Sequence, residues 1–420
     1  MKGWRERRGL IGLLSAVGIS TLGTRMSFLA IPWFVLASTG SATRTGLVAF
    51  AEMATYVVLQ ALCGPVVDRL GAWRMSIVTD IGATICIGLV PALAAVHSLA
   101  LPLLVTLVAA GGALRGAGDA ARHVLVPGVG ALARAAIERS SGLFDGVRRL
   151  ASLIGAPAAG ALILATSALS VLAVDAATFA ISAALVLSVV PRAAEPPRRM
   201  SEDLPYLSSL RMGFSYLKAD RLLTAIAVMV MITNFVDQAS AGVLVPVWAQ
   251  HVAHGPLALG LVGGALSLGA VGGNLLTTWL GPRLPRRLTY ALGYLLAGAP
   301  RFLALALCTT MAPVLAASFI GGFGAGGINP ILGAVEYERV PRDLQARVFG
   351  AMGAATWLGI PFGSLAAGFA VSAWGLHLTL LVAASVYGMT TLAPFVSPTW
   401  RAMERSHSAP GSAATATSTS

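Results

Sequence analysis

Charged side chains within long apolar stretches are the residues of this chain best suited to chemistry. If such a stretch crosses a lipid bilayer, an ionisable group at mid-depth costs at least a few kcal/mol, so each is a functional candidate. A buried carboxylate can cycle protons near neutral pH, because burial disfavours its charged form. The candidates for coupling or substrate contact are Arg25, Glu52, Asp175, Asp237 and Arg301, with the polar Asn234 close to Asp237.

The helical rise gives these groups similar depths. At 1.5 Å per residue, Arg25, Glu52 and Asp237 each lie about 24 Å from the inner surface, with Asp175 at about 22 Å and Arg301 at about 20 Å. Arg25 and Glu52 could therefore form an ion pair, permanent or proton-gated. Glu52 and Asp237 fit proton-cycling carboxylates or contacts for a cationic substrate. The alternatives are a permanent structural pair or a side chain reaching the outer interface. For Arg25 and Arg301, a role as structural counter-ion is favoured over direct contact with the substrate.

A further charged group, Arg115, Asp119 and Arg122, shows i, i+4, i+7 spacing in the fourth apolar stretch. This spacing places the three side chains on one face of a helix. We expect them near the inner end of that helix, where they would form a cytoplasmic gate network and not a substrate site.

Membrane-spanning helices must position these groups. Hydrophobic residues make up 56% of the 420 positions and charged residues only 11%, against roughly 25% charged in a soluble domain. The composition predicts an all-α integral membrane protein, and each crossing needs about 20 apolar residues. We predict twelve transmembrane helices, at 9–38, 44–67, 73–97, 99–125, 142–166, 168–190, 221–249, 257–280, 287–308, 311–337, 345–372 and 374–397.

The basic residues indicate the orientation. All but three of the 29 Lys and Arg residues fall in loops on one side, the exceptions being Arg25, Arg44 and Arg301. Basic loops stay on the cytoplasmic side, which predicts a multi-pass protein of the inner (cytoplasmic) cell membrane with both termini cytoplasmic. Topology also explains the net charge of +12, so no nucleic-acid partner is needed.

Four regions follow from this pattern. Residues 1–190 form an N-terminal six-helix half and residues 221–397 a C-terminal six-helix half. The linker 191–220 carries Leu207, Leu210, Phe214 and Leu217 at helical spacing, which predicts an amphipathic helix on the inner leaflet. The Ser/Thr/Ala-rich segment 398–420 is expected to be a disordered cytoplasmic tail.

The two halves contain similar Gly/Pro patterns. Helix 5 has Gly155, Pro157 and Gly160; helix 11 has Gly359, Pro361 and Gly363. Matching Gly/Pro interruptions in two membrane halves are typical of alternating-access transporters. The simpler alternative is tight helix packing, which small residues also permit.

A loop motif identifies a related family. The loop after the second predicted helix has the spacing G-x-x-x-D-R-x-G, formed by Gly64, Asp68, Arg69 and Gly71, with Arg74 following. It resembles the signature of the major facilitator superfamily. The resemblance implies two pseudo-symmetric six-helix halves and a conformational gate at this loop. Ala72 and Trp73 occupy the places where the family usually has two basic residues, so the basic part of this gate is weakened or shifted.

Further segments resemble the enterobactin-exporter-like and macrolide-efflux-like branch of that superfamily. They are Ala30-Ile-Pro32-Trp33, Ala121–Pro127, Gly213–Arg221 and Ala346–Gly350. Gly155-Ala-Pro157 is similar to the superfamily's antiporter motif, with Ala156 in place of its usual second glycine. The resemblance favours export over uptake.

These observations predict a secondary active transporter that exports a small, largely apolar or amphipathic molecule, such as a drug or secondary metabolite. Export would proceed by alternating access, in exchange for protons, from a monomer. The alternative is an uptake symporter or facilitator of a small solute. An embedded enzyme or a sensor is disfavoured. The only lysines, Lys2 and Lys218, lie outside any phosphate-binding loop, and no metal-ligand spacing occurs. We therefore expect no cofactor, no metal and no catalytic residue.

Overall fold

The computed structural model describes residues 2–195, 206–252, 255–280, 283–308, 310–341 and 344–404. Within these ranges the chain is helical and contains no β-strand. Four of the basic residues used above, Arg198, Arg199, Arg342 and Arg405, fall outside the described residues. The tail beyond Glu404 also falls outside them, so the expectation of disorder there stays a prediction.

The N-terminal half contains seven helices. They are α1 (Lys2–Thr39), α2 (Ala42–Leu62), α3 (Gly64–Leu70), α4 (Ala72–Ala95), α5 (Leu101–Leu132), α6 (Ile137–Ala165) and α7 (Ala168–Val189). Gly40, with φ +62°, separates α1 from α2, because glycine adopts positive φ without a steric penalty. Ser41 then caps α2 by accepting a hydrogen bond from the Arg44 amide at 3.3 Å.

The linker and the C-terminal half contain nine more helices. They are α8 (Tyr206–Ala219), α9 (Arg221–Ala239), α10 (Val245–Gln250), α11 (Gly255–Leu280), α12 (Arg286–Leu307), α13 (Met311–Gly326), α14 (Ile328–Arg339), α15 (Gln345–Trp357) and α16 (Ile360–Val396). A π-helical turn, Ser240–Leu244, joins α9 to α10. Pro246 lies just after this turn, and proline cannot donate to a preceding carbonyl, which is a usual cause of such a break.

Twelve membrane crossings result from this order within the described residues. Eleven segments are long and apolar enough to cross a bilayer, and the last of them, Arg347–Val396, has 50 residues. At 1.5 Å per residue it would measure about 75 Å, more than twice a hydrocarbon core of about 30 Å. Gly375 divides it with a φ of +80°. The predicted all-α fold of two six-helix halves is therefore confirmed.

Two ends of the bundle can be distinguished. The terminal end carries the start of α1, the linker and the end of α16. The distal end carries the turns near residues 40, 97, 166, 252, 308 and 375. Two buried apolar clusters fill the N-terminal half, and one large cluster fills the C-terminal half. Many large apolar side chains on the outside are exposed, among them Val78, Leu187 and Met389, as expected for a surface in contact with lipid.

The two halves meet at the distal end through small residues. In one contact, a methyl group added to Gly260 of α11 would lie 2.7 Å from the Ala156 carbonyl oxygen and 2.9 Å from Cα of Gly160 on α6. In the other, α2 packs on α16, and the Thr43 hydroxyl lies 2.7 Å from that of Ser372. Glycine permits such close backbone approach between membrane helices.

The equivalent glycines of the second contact are Gly46 and Gly368. A methyl group on Gly46 would lie 3.1 Å from Cα of Gly368. The two contacts thus use the same device, a glycine on each helix, once on each side of the bundle. The distal end is closed by backbone packing.

Several boundaries differ from the predictions. The second helix was predicted to run through 44–67, but α2 ends at Leu62 and α3 begins at Gly64, because Pro65 starts a new helix. Helix α6 begins at Ile137, five residues before the prediction. Pro398–Met403, placed in the disordered tail, forms a 3-10 helix with Trp400 and Met403 buried. Trp400 packs on Tyr290 with ring centroids 5.9 Å apart.

Candidate functional site

The interior of the N-terminal half contains a buried ion pair between α2 and α5. A terminal guanidinium nitrogen of Arg115 donates to Oε1 of Glu52, and both side chains are only 3% exposed. Two sequence-level expectations are wrong here. Glu52 pairs with Arg115 and not with Arg25, and Arg115 lies near the middle of α5, away from the inner end.

A second charged cluster lies about two turns further along α5. Arg122 pairs with the buried Asp80 of α4 and also donates to Asp119 at 3.0 Å. Asp119 accepts a further hydrogen bond from the Tyr56 hydroxyl at 3.0 Å and lies 3.7 Å from Arg148 of α6. This cluster ties four helices of one half together, because its members come from α2, α4, α5 and α6.

Arg25 occupies a different situation on α1. Its guanidinium lies 5.7 Å from the centroid of the Phe28 ring, and Arg115 lies 5.4 Å from the same centroid. Within the described residues Arg25 makes no ion pair with a carboxylate. The side chain is exposed, although it lies well inside a 38-residue helix.

Arg25 opens onto a small cavity within this half. The cavity has a volume of about 30 Å³, enough for one or two water molecules. It is lined by Ser20, Thr21, Thr24, Arg25, Phe28, Tyr56, Arg115, Asp119, Arg122, Arg148 and Phe179. Four guanidinium groups and one carboxylate therefore face a single space.

Asp175 of α7 is fully buried and is held by hydroxyl groups. The Ser27 hydroxyl of α1 donates to Oδ2 at 2.5 Å, and the Thr178 hydroxyl lies 3.4 Å from Oδ1. Gly23 permits the approach, since a methyl group there would lie 2.4 Å from Oδ1 of Asp175. Asp175 thus links α1 to α7 and does not line the cavity.

Among the described residues of the C-terminal half, one ion pair lies at comparable depth. Arg301 of α12 donates to Oδ1 of Asp237 on α9 at 2.6 Å. Arg301 is buried, whereas the Asp237 side chain is 43% exposed. The Arg301 guanidinium also lies 4.9 Å from the centroid of Phe302. Asp237 is therefore the accessible member of its pair.

Asn234, one turn before Asp237, has a different role. Its amide donates to the Thr356 carbonyl of α15 at 3.0 Å. Gln238, one residue after Asp237, lies 3.3 Å from the Ser364 hydroxyl of α16. The polar residues that flank Asp237 thus join α9 to the eleventh crossing.

The signature loop lies at the terminal end and is anchored to its own half. Gly71, with φ +89°, ends α3. Trp73 is buried and its indole nitrogen donates to the Val190 carbonyl at 2.9 Å. The guanidinium of Arg192 lies 4.3 Å from the centroid of the Trp73 ring. Asp68 is exposed. Trp73, at a place usually basic in the family, therefore anchors the loop by packing.

The glycines of the repeated pattern lie at equivalent places. Gly155 of α6 faces α1, where a methyl group would lie 2.7 Å from Cβ of Arg25. Gly359 and Gly363 face α9 in the same way, and a methyl group on Gly363 would lie 2.0 Å from the Phe235 carbonyl oxygen. Pro157 packs on Gly264 of α11. Each pattern thus lets a fifth helix approach the first helix of its half.

Sequence reasoning missed the role of Arg148 and Tyr56 and the pairing of Arg122 with Asp80. A usable signal existed for α5, because Arg115 and Arg122 lie seven residues apart and so face one side of the helix. No sequence signal identified their acidic partners. Glu52 lies 63 residues before Arg115, and Asp80 lies 42 residues before Arg122.

Comparison with protein families decides the classification. The family model for the Major Facilitator Superfamily matches the chain twice, over residues 13–241 and 229–417. The chain belongs to the major facilitator superfamily. The two matches correspond to the two halves, and this superfamily is one of membrane transporters. The predicted family is confirmed.

Individual relatives cover nearly the whole chain. It is 28% identical over 399 residues to a protein of Mycobacterium bovis named multidrug efflux pump Tap, covering 93% of this chain and 94% of the relative. A protein of the same name from Mycolicibacterium fortuitum is 26% identical over 380 residues, covering 90% and 92%.

Solved structures share the fold at low identity. A mutant form of the nucleoside transporter NupG superposes with a TM-score of 0.74 at 14% identity, covering 92% of this chain and 98% of that one. A bacterial homolog of the lysosomal transporter Spinster, described as inward-facing and unoccupied, gives 0.64 at 14% identity, covering 95% and 94%. These likenesses establish the fold of the superfamily alone.

Proposed function

We propose that this chain exports small, largely apolar or amphipathic molecules from the cell by alternating access, in exchange for protons. It would act as a monomer in the cell membrane with both termini in the cytoplasm. The relatives named as multidrug efflux pumps support the direction of transport, because they match over more than nine tenths of the chain.

One geometric observation carries the proposal. The halves are closed together at the distal end by the Gly160–Gly260 and Gly46–Gly368 contacts. Arg25 and Asp237, deep in helices of opposite halves, are nevertheless accessible. An interior that is sealed at one end and lined by accessible charges is what one state of an alternating-access transporter requires.

The distribution of arginines supports the orientation. The terminal end carries Arg7, Arg8, Arg69, Arg74, Arg134, Arg139, Arg192, Arg211, Arg283, Arg286, Arg339 and Arg401 among the described residues. The distal turns carry far fewer. By the positive-inside rule the terminal end faces the cytoplasm, and the state with a closed distal end would then be open to the cytoplasm.

Asp237 is the best-placed coupling carboxylate. Its partner Arg301 is buried, whereas Asp237 itself is accessible. A proton on Asp237 would release Arg301, and a cationic substrate would compete for the same carboxylate. Glu52, by contrast, is enclosed with Arg115, and displacing that pair would leave a charge buried without a partner.

The test uses inside-out vesicles from expressing cells, energised to an acid interior and monitored with a fluorescent pH-gradient probe. A panel of apolar and amphipathic compounds is added. Some compounds should dissipate the gradient in vesicles with the native chain and fail to do so with Asp237→Asn. Proton-dependent accumulation in right-side-out vesicles, with silent inside-out vesicles, would establish an uptake symporter instead.

A further inference from the structure

We propose that the cavity beside Arg25 binds an anionic group on the substrate, so that preferred substrates combine an apolar body with one carboxylate, sulfonate or similar oxyanion. The inference rests on the proposed function, since it names the substrate class that this interior would accept. It concerns the space shared by α1, α2, α5, α6 and α7 in the N-terminal half.

The charges that line the cavity are unbalanced. Arg25, Arg115, Arg122 and Arg148 face it, but only Asp119 among the carboxylates does. Glu52 and Asp80, which pair with Arg115 and Arg122, are buried and do not line the cavity. Asp119 already accepts hydrogen bonds from Tyr56 and Arg122. The face presented to a ligand is therefore cationic.

Arg115 and Arg122 contribute charge to this face, but their unpartnered donors, Nη1 of Arg115 and Nε of Arg122, are enclosed by protein. The donors available to a ligand are those of Arg25. Arg25 adds a guanidinium that makes no hydrogen bond or ion pair within the described residues; its described contact is with Phe28. An acceptor that enters the cavity would therefore gain charge-assisted hydrogen bonds from Arg25.

The shape and chemistry of the walls limit the occupant. The cavity of about 30 Å³ admits one small polar group and not a whole drug-sized molecule. The guanidinium groups of Arg25 and Arg115 both lie within 6 Å of the centroid of the Phe28 ring, and Phe179 lines the space as well. A planar oxyanion matches the fork of a guanidinium, while an attached aromatic body can pack on the phenylalanines and extend outward past Arg25.

A matched pair of fluorescent probes tests this inference. N-phenylnaphthylamine is neutral, and anilinonaphthalene sulfonate has the same ring system with one added sulfonate. Binding of each probe to the full chain in phosphatidylcholine nanodiscs is measured by equilibrium dialysis, with empty nanodiscs subtracted. The native chain should bind the sulfonate more tightly, by about tenfold, the range expected for a charge-assisted hydrogen bond.

Variants assign the preference to Arg25. Arg25→Gln should abolish the preference while changing the neutral probe's affinity by less than about twofold. Arg25→Lys, which keeps the charge without the planar fork, should retain part of it. Arg44→Gln is the matched control, because Arg44 is exposed at the distal end. Equal affinities of the native chain for both probes, or equal losses for both in Arg25→Gln, would overturn the proposal.

A second readout applies if Arg25→Gln does not fold. The sulfonate should raise the thermal unfolding midpoint of the native chain more than the neutral probe does, because a ligand stabilises the state it binds. Equal shifts overturn the proposal. Repeating the dialysis with phosphatidylglycerol in the nanodiscs separates two sources of the anion. If that lipid displaces the sulfonate in an Arg25-dependent way, the cavity binds a lipid head group and not the anionic group of a substrate.

Failure of this inference and failure of the proposed function can be told apart. If neutral compounds are transported as efficiently as their anionic counterparts, the anion subsite is refuted and the proposed export function stands. If the sulfonate binds in an Arg25-dependent way but the vesicles respond to no compound, the subsite is supported and the proposed export function is refuted.

Discussion

The two halves share a fold but differ in how they bury charge. The N-terminal half encloses Glu52 with Arg115 and Asp80 with Arg122, and all four side chains are nearly inaccessible. The C-terminal half has one pair at similar depth, Asp237 with Arg301, and its acid is 43% exposed.

This difference indicates a division of labour. A fully enclosed ion pair is difficult to separate, because either charge alone would lie buried without a partner. It therefore suits a rigid framework that positions other groups, here the cavity beside Arg25. A pair with one accessible member can exchange its partner for a proton or a ligand. The C-terminal half is accordingly expected to contain the carboxylate that changes state.

The largest effect is expected from breaking the enclosed pair. Glu52→Gln leaves Arg115 buried without its carboxylate, which should lower the free energy of unfolding by about 3–5 kcal/mol. Thermal unfolding of the purified chain in detergent measures the change. The double variant Glu52→Gln/Arg115→Gln should recover most of the loss. If Glu52→Gln were no less stable than Asp237→Asn, the two pairs would not differ as described.

The next effect concerns transport. Asp237→Asn removes the accessible member of its pair, so it should lower stability by less than Glu52→Gln does, while proton-coupled transport should fall by at least about tenfold. Initial rates of gradient dissipation in vesicles, normalised to the amount of protein, measure the loss. Asp237→Glu is the matched variant and should retain part of the activity. Full activity of Asp237→Asn would move coupling out of the C-terminal half.

A smaller effect is expected where the two halves meet. Gly260→Ala places a methyl group 2.7 Å from the Ala156 carbonyl oxygen. The methyl group would therefore keep α6 and α11 further apart than the closed distal end requires. Transport should fall by roughly threefold to tenfold, about 1 kcal/mol in the closed state.

Gly333→Ala in α14 is the control for this substitution, because a methyl group there meets nothing within 4 Å. It should leave transport unchanged and stabilise the helix slightly. Efflux of a fluorescent compound from preloaded cells compares the two variants. Equal rates would show that distal closure does not depend on the α6–α11 contact.

The smallest effect is expected at the signature loop. Asp68 is exposed in this state, so Asp68→Asn should not change the thermal unfolding midpoint. If the loop acts as a gate in the opposite state, turnover should still fall, by about twofold to fivefold. Transport rates at saturating substrate measure turnover. A normal rate would confine the loop to the structural role that Trp73 already performs.

Much of the fold could be predicted from the sequence, because lipid imposes a simple rule on composition and length. The apolar stretches placed the crossings close to their observed positions. The prediction was wrong where a local signal competed with hydropathy. Pro65 divides an apolar run that hydropathy reads as one helix, and Trp400 is buried although it lies in a region of tail-like composition.

The candidate site could be predicted only in part. Depth arithmetic gave heights for the intramembrane charges, because rise per residue fixes height, but it left out Arg115, which lies near the middle of α5. It could not identify partners, because the rotation of each helix decides which side chains meet. Arg25 and Glu52 share a height, yet Glu52 faces Arg115 of α5. Asp237 and Arg301 were each singled out, but only the hydrogen bond between them in the structure shows that they pair.

The buried Trp400 has a consequence for the order of events during synthesis. Core packing of the N-terminal half is complete once Ala194 has been made, whereas the C-terminal core includes Trp400 and Met403. At about 5–20 residues per second, roughly 10–40 s separate the two moments on the ribosome. The first half can therefore assemble around its charges while the second is still being inserted. A stalled chain that stops before Trp400 would carry one finished half and one with an exposed core.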